Sequence, residues 1–359
     1  MSSIVGGGIE QQHDPLTPSD GRGGCACFDY AESTPHINRA EKSQDLLAPG
    51  VRSIKTGSIC PDHETGASAM KMSDAITVRR LQFPWAQPLQ AWWNPARPEF
   101  SQIVNSASLA MPFLEPYLIA TMKKARPEIT DAALAADVDG YIGQESSHFR
   151  QHQQFNRRLA ALGYRCVPAL EARLKADYQR FAEQRSFRFN LAYAEGFEAM
   201  ALTIGHMLVQ EREALFAGAD PAVSSLVLWH FVEEIEHKTV TYDVLAALGG
   251  NYLWRIWGLL FATVHIMGRT RQGYKALLVE DRLWYRPSSR LAVYAVLLRI
   301  FRRLLPRLLR VLRPGYDPRE VPDPEWATRW RQLHDGGETG LGQLDTRQLD
   351  SLSPKVMAI

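Results

Sequence analysis

The chain of 359 residues sets 41 Lys and Arg against 39 Asp and Glu, a net charge of +2, with 45% hydrophobic and 22% charged residues. That balance excludes a disordered chain and a polyanion-seeking one, and fits one large globular domain or a domain with appendages. Cys25, Cys27, Cys60 and Cys166 are too few and too unevenly placed for a disulfide framework, and the Cys25/Cys27 pair lacks the partners of a structural zinc site, so a reducing cytoplasm is the expected compartment.

Residues 1–75 are rich in Gly, Ser, Pro and His without sustained periodicity and read as a mostly disordered leader. No basic stretch followed by an apolar run marks a secretory signal, and Gly6 to Gly8 lack the preceding strand and following Lys-Ser/Thr of a phosphate loop. "ITVRRLQFPW" from residue 76 suits a short extended lead-in, and "AWWNPARPEF" an aromatic, proline-punctuated loop.

Apolar residues at three- and four-residue spacings then predict helices over roughly 99–125, 130–162, 167–183, 186–217 and 221–248, with almost no strand-like alternation. The fold class is all-α. Thr130 or Asp131 can cap the second helix and Gly163 end it; Asp220-Pro221 opens the fifth and Gly249-Gly250 closes it. Residues 76–250 thus form a helical bundle, 251–315 a C-terminal helical extension, and 316–359 a mostly irregular tail.

"YLWRIWGLLFATVHIMG", residues 252–268, is short for a membrane span and holds Arg255 and His265, which favours a buried helix. In residues 289–313 apolar side chains alternate with Arg290, Arg299, Arg302, Arg303, Arg307, Arg310 and Arg313, a basic amphipathic segment broken near Pro306. It suits either peripheral contact with an anionic membrane or a packed helix with a solvated arginine face.

The chemistry concentrates in "LWHFVEEIEHKTV". At 100° per residue His230, Glu234 and His237 share one face, Glu233 sits at its margin and Glu236 points away. "GQESSHFRQHQQFN" repeats the theme with Glu145, His148 and His152. The first long helix holds Glu115 alone among apolar residues, and the fourth holds Glu195 and Glu198. Glu, Glu-x-x-His, Glu, Glu-x-x-His, one element per helix, is the ligand pattern of di-iron and di-manganese carboxylate four-helix bundles. Two divalent ions need anionic oxygens to neutralise and bridge them, and an apolar core would not tolerate these carboxylates ionised without counter-charge. Spacing leaves Glu195 and Glu198 equivalent. His230 is a candidate further ligand, and His152 a partner that holds a carboxylate in place, with a metal ligand or a core histidine as its alternatives.

Residues 77–250 resemble the ferritin-like superfamily and, within it, a bacterial family called predicted metal-dependent hydrolases. The carriers are "VRR" at 78–80, "WWNPARPEFSQIVNSASLAMPFLEPYLI", "GQESSHFRQHQQFN", "AEGFEAMA" and "LWHFVEEIEHKTVTYDV". The resemblance implies a ferritin-like bundle and favours Glu195 as the ligand of the fourth helix. Leu114 stands where that family tends to have Gly, and Glu195-Gly196-Phe197-Glu198 replaces a Glu-His-Phe-Thr-type run. The His-x-x-x-Glu-x-x-His run ending at His237 is similar to the last ligand helix of di-iron arylamine N-oxygenases, where an additional His binds iron.

The expectation is therefore an enzyme with two divalent ions, iron first and manganese or zinc as alternatives, held by Glu115, Glu145, His148, Glu195, Glu234, His237 and His230. Dioxygen-activating oxidation of an apolar or lipid-like small molecule, with an unspecified electron donor, is the first reading. Hydrolysis by metal-bound hydroxide, with Glu198 or Glu233 moving the proton, is the alternative. A non-catalytic metal-binding or membrane-surface protein is the third. No nucleic-acid motif is present.

Overall fold

The computed structural model describes residues 76–85 and 89–352, and among these every regular element is a helix. The expected leader, with three of the four cysteines, lies outside the described residues, as do residues 353–359.

The single helix expected over 99–125 is two, α1 (Pro98–Ser108) and α2 (Met111–Ala125). Pro112 causes the break: it has no N–H for the Ser108 carbonyl four residues earlier, and its ring crowds that carbonyl. The Asn156 side-chain amide donates to the Ser108 carbonyl instead, at 2.8 Å. α3 (Ala132–Ala161) starts at Asp131, whose carboxylate accepts the Leu134 N–H at 2.9 Å, and stops before Gly163, which turns the chain at φ +86°. α4 spans Val167–Gln184.

The expected helix 186–217 divides at Glu211 into α5 (Phe187–Gln210) and the short α6 (Arg212–Phe216). Likewise 221–248 divides into α7 (Pro221–Glu236) and α8 (Val240–Ala247), with His237 in the non-helical step just past the end of α7. Asp220 caps α7 through the Ala222 and Val223 N–H groups, with Pro221 opening the helix. α9 (Tyr252–Glu280) and α10 (Pro287–Val311) follow. Pro306 lies inside α10 on its exposed side and does not break it, contrary to the sequence expectation. Within the tail, Glu325–Asp335 forms α11.

α2 packs on α3 and α5 on α7, and contacts of α2 with α5 and of α3 with α7 close a ring of four helices. α9 lies along α5 and α1. Its crossing with α5 depends on two glycines: a Cβ on Gly258 would land on the Ala192 carbonyl oxygen, and one on Gly196 on the Gly258 carbonyl carbon. α9 is therefore part of the core, and its inner face (Gly258, Leu259, Ala262, Ile266) is buried as residues 252–268 were expected to be. The opposite face leaves Leu253 72%, Leu260 54% and Val264 74% exposed.

Candidate metal centre

The ring of four helices points its titratable residues inward. Glu115 comes from α2, Glu145 and His148 from α3, Glu198 from α5, His230 and Glu234 from α7, and His237 from the step after α7. They form two groups, Glu115/His148/His230 and Glu145/Glu198/Glu234/His237, in each of which one ligand atom per residue lies within 4.8 Å of the others. All seven are buried.

Glu234 and Glu145 stand between the groups. Glu234 places Oε1 2.9 Å from His230 Nε2 and Oε2 3.1 Å from His237 Nε2. Glu145 Oε1 lies 3.7 Å from His148 Nδ1 and 3.5 Å from His237 Nε2. Two carboxylates each within reach of both groups are what a pair of neighbouring cations would require as bridges.

Each imidazole turns one nitrogen to the cluster and has the other fixed from behind. His148 Nε2 is held by Glu233 Oε2 at 2.8 Å, and Arg79 Nη1 approaches the other Glu233 oxygen at 3.4 Å. His237 Nδ1 donates to the Gln144 side-chain oxygen at 3.1 Å, and the Gln144 amide bonds Glu236 at 2.6 Å and the Thr77 carbonyl at 2.8 Å. His230 Nδ1 meets His152 Nε2 at 2.7 Å, and His152 Nδ1 meets Ser108 Oγ at 2.8 Å. Such backing fixes the ring's orientation and tautomer and aims the other nitrogen at the carboxylates of the cluster.

The donors fit a divalent metal by what they lack. Both oxygens of Glu115, both of Glu145, Oε2 of Glu198 and Nδ1 of His148 are buried without a hydrogen-bond partner. Burial pushes Glu115 well above the usual carboxylate range, helped by the charges of Glu145, Glu234 and Glu198. Burial and Glu234 do the same to Glu198. Burial opposes charge on His148, but the hydrogen bond with Glu233 and the nearby Glu145 carboxylate prevail and raise it to about 10. His237 is raised well above its ordinary value, the pull of Glu234 and Glu198 overcoming burial. A divalent cation at these atoms would compete with protons for them.

The sequence expectations meet this geometry unevenly. Glu115, Glu145, His148, Glu234 and His237 are brought together, and His230 joins them. Glu195, favoured by resemblance, lies outside both groups. Glu198 takes the place expected of it, because three positions on a helix turn the side chain by about 60°, and Glu195 instead faces Arg255 of α9. Burial lifts the Glu195 pKa to about 8, against the pull of Arg255. Glu233, expected at the margin of the face, sits on the far edge of His148 from the cluster, where its contact with Nε2 orients that ring. His152 holds the His230 ring, where the sequence reading had it holding a carboxylate.

Three contributors escaped sequence reasoning. Arg79, 1% exposed although it belongs to the extended lead-in, pairs with Glu236 at 2.5 Å as well as with Glu233. Tyr141 donates its hydroxyl to Glu198 Oε1 at 2.7 Å and packs its ring 4.8 Å from that of His237. Gln144 is the third. The signal for Tyr141 was its position one turn before Glu145, and that for Arg79 its place in the "VRR" run at 78–80, which carries the resemblance without naming a role.

An apolar cavity of about 360 Å³ reaches this centre from the side of α1, α5, α9 and α10, and His152 and His230 form its inner end. No curated protein and no solved structure significantly matches the chain. A family model does, that of the predicted metal-dependent hydrolases, over residues 77–321. The match takes in every residue of the centre from Arg79 to His237 together with α9 and α10, and the chain belongs to the predicted metal-dependent hydrolase family.

Proposed function

We propose that the chain is a hydrolase whose centre holds two divalent cations, one against Glu115, His148 and His230, the other against Glu198 and His237, with Glu145 and Glu234 between them in a ferritin-like arrangement. The observation that carries this reading is the facing of unpartnered carboxylate oxygens and three imidazole nitrogens inside a buried ring of helices. A divalent cation bound there would act as a Lewis acid, activating water and polarising the bond to be cleaved.

The chain's own residues do the rest. Glu233, Gln144 and His152 fix the three imidazoles, and Tyr141 holds one Glu198 oxygen so that the other, Oε2, points to His237 at 3.4 Å. The apolar cavity supplies an entry that excludes bulk water, which strengthens every electrostatic interaction at its inner end. Ser108 Oγ fixes His152 Nδ1, leaving a two-histidine hydrogen-bonded chain from the cavity wall to Glu234.

The family match supports hydrolysis and lends nothing to the oxidative reading that the ligand pattern suggested. Reconstitution under anaerobic conditions distinguishes them. Metal-free protein loaded with zinc or manganese hydrolyses members of an ester and amide panel without dioxygen, and Glu145→Ala abolishes that turnover. Turnover that requires iron together with dioxygen uptake would overturn the proposal.

A further inference from the structure

The cavity and the surface around its mouth share a chemistry that the metal centre does not explain. Among its lining residues only Ser108, His152, His230, Thr270, Arg271 and Tyr274 carry a polar group in the side chain, the rest being aliphatic, aromatic or Met. Its volume of about 360 Å³ lies within the usual range for small-molecule pockets, about 300–1,000 Å³. The polar ends are separated: His152 and His230 at the metal centre, exposed Arg271 at the mouth. A ligand that fits has a long hydrocarbon part between a reactive group and an anionic or polar head.

The mouth opens between α9 and α10, on the surface richest in exposed apolar side chains. On α9, Leu253, Trp257, Leu260, Val264 and Met267 recur at spacings of three and four, one stripe that ends at the mouth, where Met267 is itself a lining residue. On α10, Leu291, Tyr294, Leu298, Phe301, Leu305 and Leu309 form a second stripe, 37–69% exposed, while Leu297, Ile300 and Leu304 of the same helix line the cavity. α10 contains no acid. By its wheel position Arg302 borders the stripe on one side and Arg290 on the other, and among the described residues neither is in an ion pair. Arg299 and Arg303 lie farther round, against Glu211. An apolar stripe edged by unpaired arginines is complementary to an anionic lipid surface, with hydrocarbon below and phosphate at the level of the guanidinium groups.

Resting on the hydrolase reading above, we propose that the α9–α10 face seats on an anionic lipid bilayer and that the cavity draws one acyl chain from it, bringing an acyl ester or amide to the His230 end. There the hydroxyl of a water molecule bonds to the acyl carbon, the acyl C–O or C–N bond breaks, and the water's other proton goes to the leaving oxygen or nitrogen, which releases a carboxylic acid and an alcohol or amine. The stripes account for the exposed apolar surface, the arginines for charge selectivity, and the cavity for the path from surface to metal.

Co-sedimentation of the full, metal-loaded chain with phosphatidylcholine vesicles containing one third phosphatidylglycerol tests the seating, with pure phosphatidylcholine as the comparison. The chain binds the anionic vesicles at least tenfold more tightly, and the double variant Leu298→Glu/Phe301→Glu loses that binding while keeping its metal. A fluorescent long-chain fatty acid tests the cavity: binding falls at least tenfold in Ala201→Trp, which still sediments with vesicles. Thr270→Trp at the half-buried mouth replaces it where Ala201→Trp fails to retain metal. Equal binding to both vesicles, undiminished fatty-acid binding in the filled variants, or a lipid-free dimer that the double variant converts to monomers would each overturn the proposal. The last outcome would assign the stripes to a second copy of the chain. Failure of the hydrolase reading alone would show instead as normal vesicle and fatty-acid binding with no metal-dependent turnover.

Discussion

Glu195 and Glu198 show how much one side chain decides. Both are acids buried in α5, three residues apart, and only Glu198 meets the other helices' ligands. Glu195→Gln is therefore expected to retain metal, whereas Glu198→Gln loses it, as read by elemental analysis of the purified variants. The Glu195 carboxyl also carries a pH signature. Its folded value of about 8 exceeds the ordinary 4.5, so below 4.5 it is protonated folded or unfolded and exerts no effect. Between 4.5 and about 8 the unfolded group ionises while the folded one keeps its proton, so stability falls as pH rises through that window and then levels off. Denaturant titrations should show Glu195→Gln gaining on the parent from pH 4.5 to 8 and holding its advantage above. A parallel pair of curves would refute this. Glu233→Gln, which weakens the hold on His148, is expected to lower metal affinity by about 10- to 100-fold without unfolding the chain.

At the scale of elements, sequence reading succeeded where a helix has a solvent face and punctuation at its ends. Asp131 and Gly163 bound α3, and Asp220-Pro221 opens α7, from local chemistry alone. It failed to orient α5 because nearly every residue from Phe189 to Val209 is buried, which leaves no polar face to set the angle. The candidate ligands of α3 and α7 were legible because His and Glu recur together at helical spacing, and Glu115 because no other acid is near. Arg79 was not, since its partners Glu233 and Glu236 lie more than 150 positions away. The role of α9 was hidden as well: Gly258 in an apolar run gives no sign that it faces Gly196. Gly258→Leu forces α5 and α9 apart and is expected to cost about 1–3 kcal/mol or more. Val264→Ala, on the exposed face of the same helix, should change stability by less than about 0.5 kcal/mol. Equal effects in chemical denaturation would contradict the assignment of the two faces.

For the whole molecule, the proposed metal pair is a structural element as well as a reactive one. A ring of helices whose centre gathers four buried carboxylates is held together better by cations than by protons. At free metal about a hundredfold above Kd, each of the two sites contributes about 2.7 kcal/mol, so chelation of both ions should lower the thermal midpoint by about 10–20 °C. The sharpest test of the account is metal stoichiometry per chain, by native mass spectrometry, for the parent protein, Glu145→Ala and His237→Ala. The account predicts two divalent ions in the parent and fewer in both variants. A parent that binds none at saturating metal, or variants that retain two, would contradict it.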